Sequence, residues 1–191
     1  MTAISRRSFL GNTALAAAAL TAGCAISKNG NVTTATLNVK AVDSYGTAIL
    51  NFAQAAVVIP FVATAIGAPA LVIVNAAIAT LKEGLTAFDT ASGGSATVSF
   101  DNTSVATAFD SILASAKTIN GYIVATIQAT VSDSTVVAEA KSAASAASGI
   151  ISIIEGLVAS VGAPVNSQVG AALRGDGYVA TIDQWCKAQS R

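Results

Sequence analysis

The alternation of apolar and polar positions first identifies a long uncharged stretch. From Ser44 to Leu81 no residue carries a charged side chain. Apolar residues recur there at spacings of three and four, and on a helix with 3.6 residues per turn they form one continuous stripe. The first arm of the stripe comprises Tyr45, Ile49, Phe52, Ala56, Ile59, Ala63 and Ile66, and the second comprises Leu71, Val74, Ile78, Leu81, Leu85 and Phe88.

The two arms are joined by Gly67-Ala68-Pro69. Glycine accepts the left-handed backbone that ends many helices, and proline fits the first turn of the next one. We therefore predict a helical hairpin with a tight turn.

Two further apolar stripes predict a third and a fourth long helix. Ser104 is the expected N-cap of the third helix, and Gly162 and Pro164 are expected to end the fourth. The third stripe comprises Val105, Phe109, Ile112, Ala116, Ile119, Ile123 and Ile127, and the fourth comprises Val137, Ala140, Ala144, Ala147, Ile151, Ile154, Val158 and Val161. A short terminal helix is predicted from the spacing of Tyr178, Ile182 and Trp185.

Two short stretches alternate like strands. One is 32–39, and the other contains Ala96, Val98 and Phe100. They could pair as a small sheet or form two ordered loops. The predicted fold class is all-α: an antiparallel four-helix bundle over 42–164, with a two-stranded sheet at one end as an open addition. A C-terminal extension over 165–191 carries the short docking helix.

Composition excludes several chemistries. Charged residues are 10% of the chain, against about 25% in an ordinary soluble domain. The formal net charge is zero, so no basic surface for nucleic acid is expected. There is no histidine, and the cysteines are Cys24 and Cys186, which cannot form a zinc site. We predict no cofactor and no metal.

Sequence motifs for catalysis are also missing. The chain has no Gly-x-Ser-x-Gly elbow, no P-loop and no Gly-x-Gly-x-x-Gly fingerprint. A Ser-Lys dyad stays open on sequence alone. We predict that the protein is not an enzyme.

The N-terminal residues carry an export motif. Ser5-Arg6-Arg7-Ser8-Phe9-Leu10 resembles the twin-arginine export signal, with Gly11 where lysine often stands. The short, mildly apolar run after it is too short to span a bilayer. This resemblance implies recognition through Ser5, Arg6, Arg7, Phe9 and Leu10, with the twin-arginine translocase of a bacterium as a partner during export.

The signal ends in Leu20-Thr21-Ala22-Gly23-Cys24, which resembles a bacterial lipobox. Thr21 departs from the leucine usual at that position. The resemblance implies a signal peptide over 1–24 and a lipoprotein with lipid on Cys24. Residues 25–41 would then be a tether that includes the alternating stretch 32–39, for which a short strand stays open. The alternative is ordinary cleavage between Gly23 and Ala25, which would leave a periplasmic protein without an anchor.

The hairpin tip is apolar on nearly every face, so it is expected to be either buried in the bundle or in contact with lipid. Burial is the preferred prediction, with the tip packed against Ala140, Ala144 and Ala147. Each arm of the tip is too short to cross a bilayer, but long enough to enter one leaflet. The candidate residues are Val58, Ile59, Phe61, Val62, Ile66, Leu71, Val72, Ile73 and Val74.

The sequence thus predicts an exported, lipid-anchored helical bundle that acts by binding. It could serve as a cell-envelope scaffold, as an assembly subunit pairing with itself or another protein, or as a carrier of an apolar ligand. The alternative is a membrane-active protein that inserts its hairpin, such as a pore-former or an immunity-type factor. Expected locations are the periplasm and the outer envelope, with membrane association through the lipid.

Overall fold

A computed structural model of the chain describes residues 24–29, 32–132, 134–161 and 175–189. It is mostly helical and has a small antiparallel sheet. The strands are β1 (Cys24–Asn29), β2 (Val32–Asn38) and β3 (Thr97–Ser99). The helices are α1 (Val39–Val57), α2 (Pro60–Ile66), α3 (Ala68–Ser92), α4 (Thr103–Ile119), α5 (Ala125–Ala129), α6 (Thr135–Val161) and α7 (Asp176–Gln189), with a π-helical turn at Asn120–Val124 between α4 and α5.

Of the two alternatives for the alternating stretches, a small sheet and two ordered loops, the structure has the sheet. β2 pairs antiparallel with β3, with Leu37 opposite Val98. β1 pairs with the other edge of β2 and places Cys24 opposite Leu37. Residues 27–29, predicted as part of a tether, therefore lie in a strand. The predicted export-signal residues, Ser5 to Leu10, lie outside the described part of the chain.

Asparagine side chains cap the N-termini of α1, which follows β2, and α4, which follows β3. Asn38 accepts a hydrogen bond from the backbone N–H of Ala41 at 3.1 Å, at the start of α1. Asn102 accepts bonds from the N–H groups of Ser104 at 2.9 Å and Val105 at 3.4 Å, at the start of α4. The prediction of Ser104 as the N-cap is wrong by two residues, because asparagine caps as well as serine does.

The first arm of the hairpin is not one helix, as the sequence stripe predicted. α1 ends at Val57, and the axis of α2 is bent by 89° from the axis of α1. Pro60 has no N–H to donate and disfavours helical backbone at the residue before it. Ile59 accordingly adopts an extended conformation, with φ −74° and ψ 122°. The three-four spacing continues across this break, so the spacing alone did not reveal it.

The predicted turn at Gly67 is confirmed, because its φ of +78° and ψ of 155° suit glycine alone. The third predicted stripe is helical over its whole length, and its α-helical hydrogen bonding changes to a π-helical turn at Asn120–Val124. The fourth is the single helix α6, and the terminal helix is α7.

The core lies between α1, α3, α4 and α6 and is closed by α7. Its largest fully buried side chains include Phe52, Phe88 and Phe109. Ile182 and Trp185 of α7 are buried as predicted, and the rings of Phe52 and Trp185 lie 5.5 Å apart. The alanine stripe of α6 is buried as well. The neighbours of α6 are mainly α1, α7, the π-helical turn and α5, whereas the tip helix α2 packs against α1, α3, α5 and the π-helical turn. The prediction that the tip packs against Ala140, Ala144 and Ala147 is therefore wrong for α2, because α6 is not among its main neighbours.

Candidate functional site

The candidate hairpin residues fall into three groups by exposure. Ile59, Val62 and Val74 are buried, and the last two are 0% exposed. Phe61, Ile66 and Leu71 are half-buried. Val58 is 74% exposed, Val72 is 70% and Ile73 is 47%. The preferred prediction of a buried tip therefore holds for one face of the hairpin and is wrong for the other.

Two residues that the sequence analysis missed add to the exposed face. Val131 in the connection after α5 is 97% exposed, and Val136 in the first turn of α6 is 48% exposed. Because α2 packs against α5, this connection lies at the same end of the molecule as the hairpin tip. We call this end the apolar end and define it by Val58, Val72, Ile73, Val131 and Val136.

The chain path explains why these residues share one end. α1 runs away from the sheet, and α3 returns to it and ends at Gly93, whose φ is +58°. α4 and α5 run away again, and α6 begins where they end. Within the described side chains, the other large hydrophobic residues that are exposed are the tyrosines Tyr122 and Tyr178.

The apolar end has few charged residues near its exposed aliphatic side chains. The hairpin contributes no charged residue before Lys82. Between Lys117 and Glu139 the sequence holds one charged residue, Asp133, which the structure does not describe. The exposed polar residues near the tip are instead neutral, and they are Gln54, Thr64, Asn75, Thr80, Ser132, Ser134 and Thr135.

We call the opposite end the sheet end: β2, β3, the first turns of α1 and α4, and the last turn of α3. Burial raises the pKa of Asp43, and the nearby carboxylate of Asp89 raises it further. Lys117 Nζ and Glu155 Oε1 lie 3.4 Å apart and form an ion pair on the exposed surface between the two ends.

Two helices, α3 over Ala68–Ser92 and α6 over Thr135–Gly156, are long and apolar enough to cross a membrane. The bent pair of α1 and α2 meets the same test when taken as one span. In the most apolar window of α3 only 28% of the residues are buried, against 56% in that of α6. Of these two long helices, α3 is thus the one that the rest of the protein covers less.

An open groove of about 660 Å³ runs between α3 and α4. Small side chains line most of it, including Gly84, Ala87, Ala91 and Ala108, and the charged residue in its wall is Glu83. The groove is a surface feature rather than an interior cavity, so it offers little shelter to an apolar ligand.

The described residues contain no group of acidic, cysteine or histidine side chains that could hold a metal ion. Cys186 is a free thiol, and partial burial raises its pKa, with a further contribution from Asp183. The backbone of Cys24, the predicted lipidation site, lies at the start of β1.

The hydroxyl of Tyr45 accepts a hydrogen bond from the N–H of Gly175 at 3.1 Å, which ties α1 to the start of α7.

Comparison of the chain with protein-family models, with curated proteins and with solved structures found no match.

Proposed function

We propose that this chain is an exported protein of the bacterial envelope, that it acts by binding rather than by catalysis, and that it binds a lipid bilayer through its apolar end. The observation that carries the proposal is the set of five exposed aliphatic side chains at one end of the molecule. We further propose that α1, α3, the α4–α5 unit and α6 form an antiparallel four-helix bundle, which holds these side chains in place.

Exposed apolar surface of this kind favours a partner. Soluble monomers rarely leave a continuous apolar patch open, because burying such surface stabilises the buried state by about 25 cal/mol per Å². The length of the uncharged part of α3 is comparable to the thickness of one bilayer leaflet. The uncharged part of α3, from Ala68 to Leu81, is about 20 Å long at 1.5 Å per residue, whereas one leaflet of hydrocarbon is about 15 Å thick.

A complete crossing of α3 is less favourable than entry into one leaflet. Lys82 and Glu83 follow the uncharged part directly, and Leu81 and Phe88 are 0% exposed in the core. Pulling α3 through a bilayer would carry those charges into hydrocarbon and would remove both apolar side chains from the core. We therefore propose that the tip enters one leaflet while the rest of α3 stays in the helical body.

The contact at the apolar end is weak, because a few aliphatic side chains, like a single acyl chain, give reversible membrane binding. The proposed lipid on Cys24 would be a separate attachment, since Cys24 pairs with Leu37 at the sheet end, away from the tip. The twin-arginine motif at Ser5 to Leu10 supports export to the periplasm or the outer envelope, with the translocase as a transient partner.

A flotation assay with liposomes tests the proposed site. All variants carry Cys24→Ala, so that no acyl chain contributes. Val72→Asp places a charge on the exposed tip, and Thr86→Asp places the same charge on nearly the same face of α3, about 21 Å closer to the sheet. Val72→Asp should reduce binding by about tenfold or more, because a carboxylate in hydrocarbon is unfavourable. Thr86→Asp should bind like the parent, and equal binding by all three proteins would contradict the proposal.

The export part of the proposal has a separate test. Replacing Arg6 and Arg7 together by lysine should keep the folded protein in the cytoplasm. The intact mass of the mature protein should correspond to a chain that begins at Cys24 and carries acyl groups. A mature chain that begins after Cys24 would exclude the anchor while leaving the apolar end open to test.

A second candidate function is that of an assembly subunit whose apolar end meets another copy of the chain. The same exposed aliphatic side chains favour this, because a second copy of the chain would remove them from water. Sedimentation of the parent without lipid distinguishes the two candidates. Dimers that disappear with Val72→Asp would support the subunit, and a stable monomer that floats with liposomes would support the membrane protein.

A further inference from the structure

The rim of the apolar end is as informative as its centre. The exposed polar residues nearest the tip are hydroxyl and amide side chains, such as Thr64, Asn75 and Thr80. Along α3 the first charges are Lys82 and Glu83, which are adjacent and opposite in sign. Among the described residues, the rim of the apolar end therefore has no net positive charge, because Glu83 offsets Lys82.

A cationic rim is the usual means by which a surface-binding helix reaches a membrane. Such helices carry lysine and arginine on the polar face, which attract anionic headgroups and weaken as salt screens them. The apolar end has no comparable group, so headgroup charge contributes little attraction here. The remaining driving force is the transfer of Val58, Val72, Ile73 and their neighbours out of water.

That driving force depends on access to the hydrocarbon. Aliphatic side chains gain by entering a bilayer only where headgroups leave gaps, and such gaps are most frequent in strongly curved or loosely packed membranes. We infer that the apolar end recognises loosely packed neutral lipid surfaces and that its binding depends on curvature rather than on anionic lipid. This inference rests on the proposed function and specifies the kind of lipid surface that the same site would choose.

Vesicle binding tests the inference with the Cys24→Ala chain. Small sonicated and large extruded vesicles of unsaturated phosphatidylcholine are compared, each with and without phosphatidylglycerol, at low and high sodium chloride. Binding to small neutral vesicles should exceed binding to large ones by about fivefold or more. Phosphatidylglycerol and salt should change binding by less than about twofold.

Engineered charge provides a matched control. Thr64→Lys combined with Asn75→Lys adds two cations beside the tip, whereas Thr86→Lys adds one on α3 nearer the sheet. The double variant should acquire dependence on phosphatidylglycerol and sensitivity to salt, and Thr86→Lys should behave like the parent. This comparison shows that the assay detects an electrostatic contribution when one is present.

The outcomes separate the inference from the proposed function. A parent protein that needs phosphatidylglycerol and dissociates at high salt would overturn the inference while leaving membrane binding in place. Equal binding to small and large neutral vesicles would also overturn it. A parent that binds no vesicle under any condition would overturn the proposed function, and the inference with it.

Discussion

At the sheet end, aromatic side chains close the core, whereas the opposite end carries aliphatic side chains that stay largely in solvent. The ring of Phe109 lies 6.3 Å from that of Phe88 and 5.8 Å from that of Phe100. At the apolar end, Val58 and Val72 face outward beside the buried Val62 and Val74. The aromatic rings at the sheet end are packed between helices, whereas Phe61 at the apolar end is only half-buried and leaves Val58 and Val72 exposed. The difference indicates that the sheet end stabilises the fold and that the apolar end is free to bind.

The largest expected effect separates the buried and exposed faces of the apolar end. Val62→Asp places a charge at a site that is 0% exposed and should destabilise the protein on the order of 3 to 5 kcal/mol. Val58→Asp, four residues away and 74% exposed, should change stability by no more than about 0.5 kcal/mol. Urea denaturation of both variants measures this. Equal destabilisation would mean that Val58 is buried in solution.

Overpacking of the alanine stripe should have the next largest effect. Ala144 is 0% exposed, so Ala144→Leu should cost about 1 to 3 kcal/mol. Ala138 lies on the exposed side of the same helix, and Ala138→Leu serves as the matched control with a change of about 0.5 kcal/mol or less. Melting curves of the two variants test this. A lower Tm for Ala138→Leu than for Ala144→Leu would invert the assigned faces of α6.

Two glycine substitutions should change stability in opposite directions. Gly67→Ala forces a side chain into a conformation that suits glycine alone, and the expected cost is about 1 to 3 kcal/mol. Gly156 lies inside α6 with open space where a Cβ would stand. Gly156→Ala should therefore stabilise the helix by about 0.5 to 1 kcal/mol. Equal Tm changes in the same direction would contradict the turn geometry at Gly67.

The smallest effect concerns charge at the sheet end. The pKa of Asp43 is raised in the folded protein above its ordinary value of 3.8, so its ionised form disfavours folding. Stability should fall slightly as pH rises from 3.8 through the higher folded pKa. Asp43→Asn should remove this dependence and give a small gain in stability at neutral pH that disappears in acid. Denaturation of both proteins across pH measures the difference, and a loss of stability at neutral pH would contradict the assigned cause.

The sequence predicted the elements better than it predicted their environment. The turn at Gly67, the single helix α6 and the docking of Trp185 all follow from local spacing and turn chemistry. The break before Pro60 was missed, although the proline itself was the signal, because the apolar spacing continues across it. The exposed positions of Val131 and Val136 carry no local signal, since they join the hairpin tip only through the packing of α2 against α5.

A depth measurement tests the central claim, that the apolar end and not the sheet end enters lipid. In a Cys24→Ala, Cys186→Ser background, single cysteines at Val58, Val72, Thr86 and Thr90 are labelled with an environment-sensitive fluorophore, and neutral liposomes are added. At Val58 and Val72 we expect the fluorescence emission to shift to the blue and to be quenched by lipids that carry a quencher in the acyl chain. At Thr86 and Thr90 we expect no change in emission. Equal shifts at all four positions would contradict the account, because α3 would then enter the bilayer along its whole length.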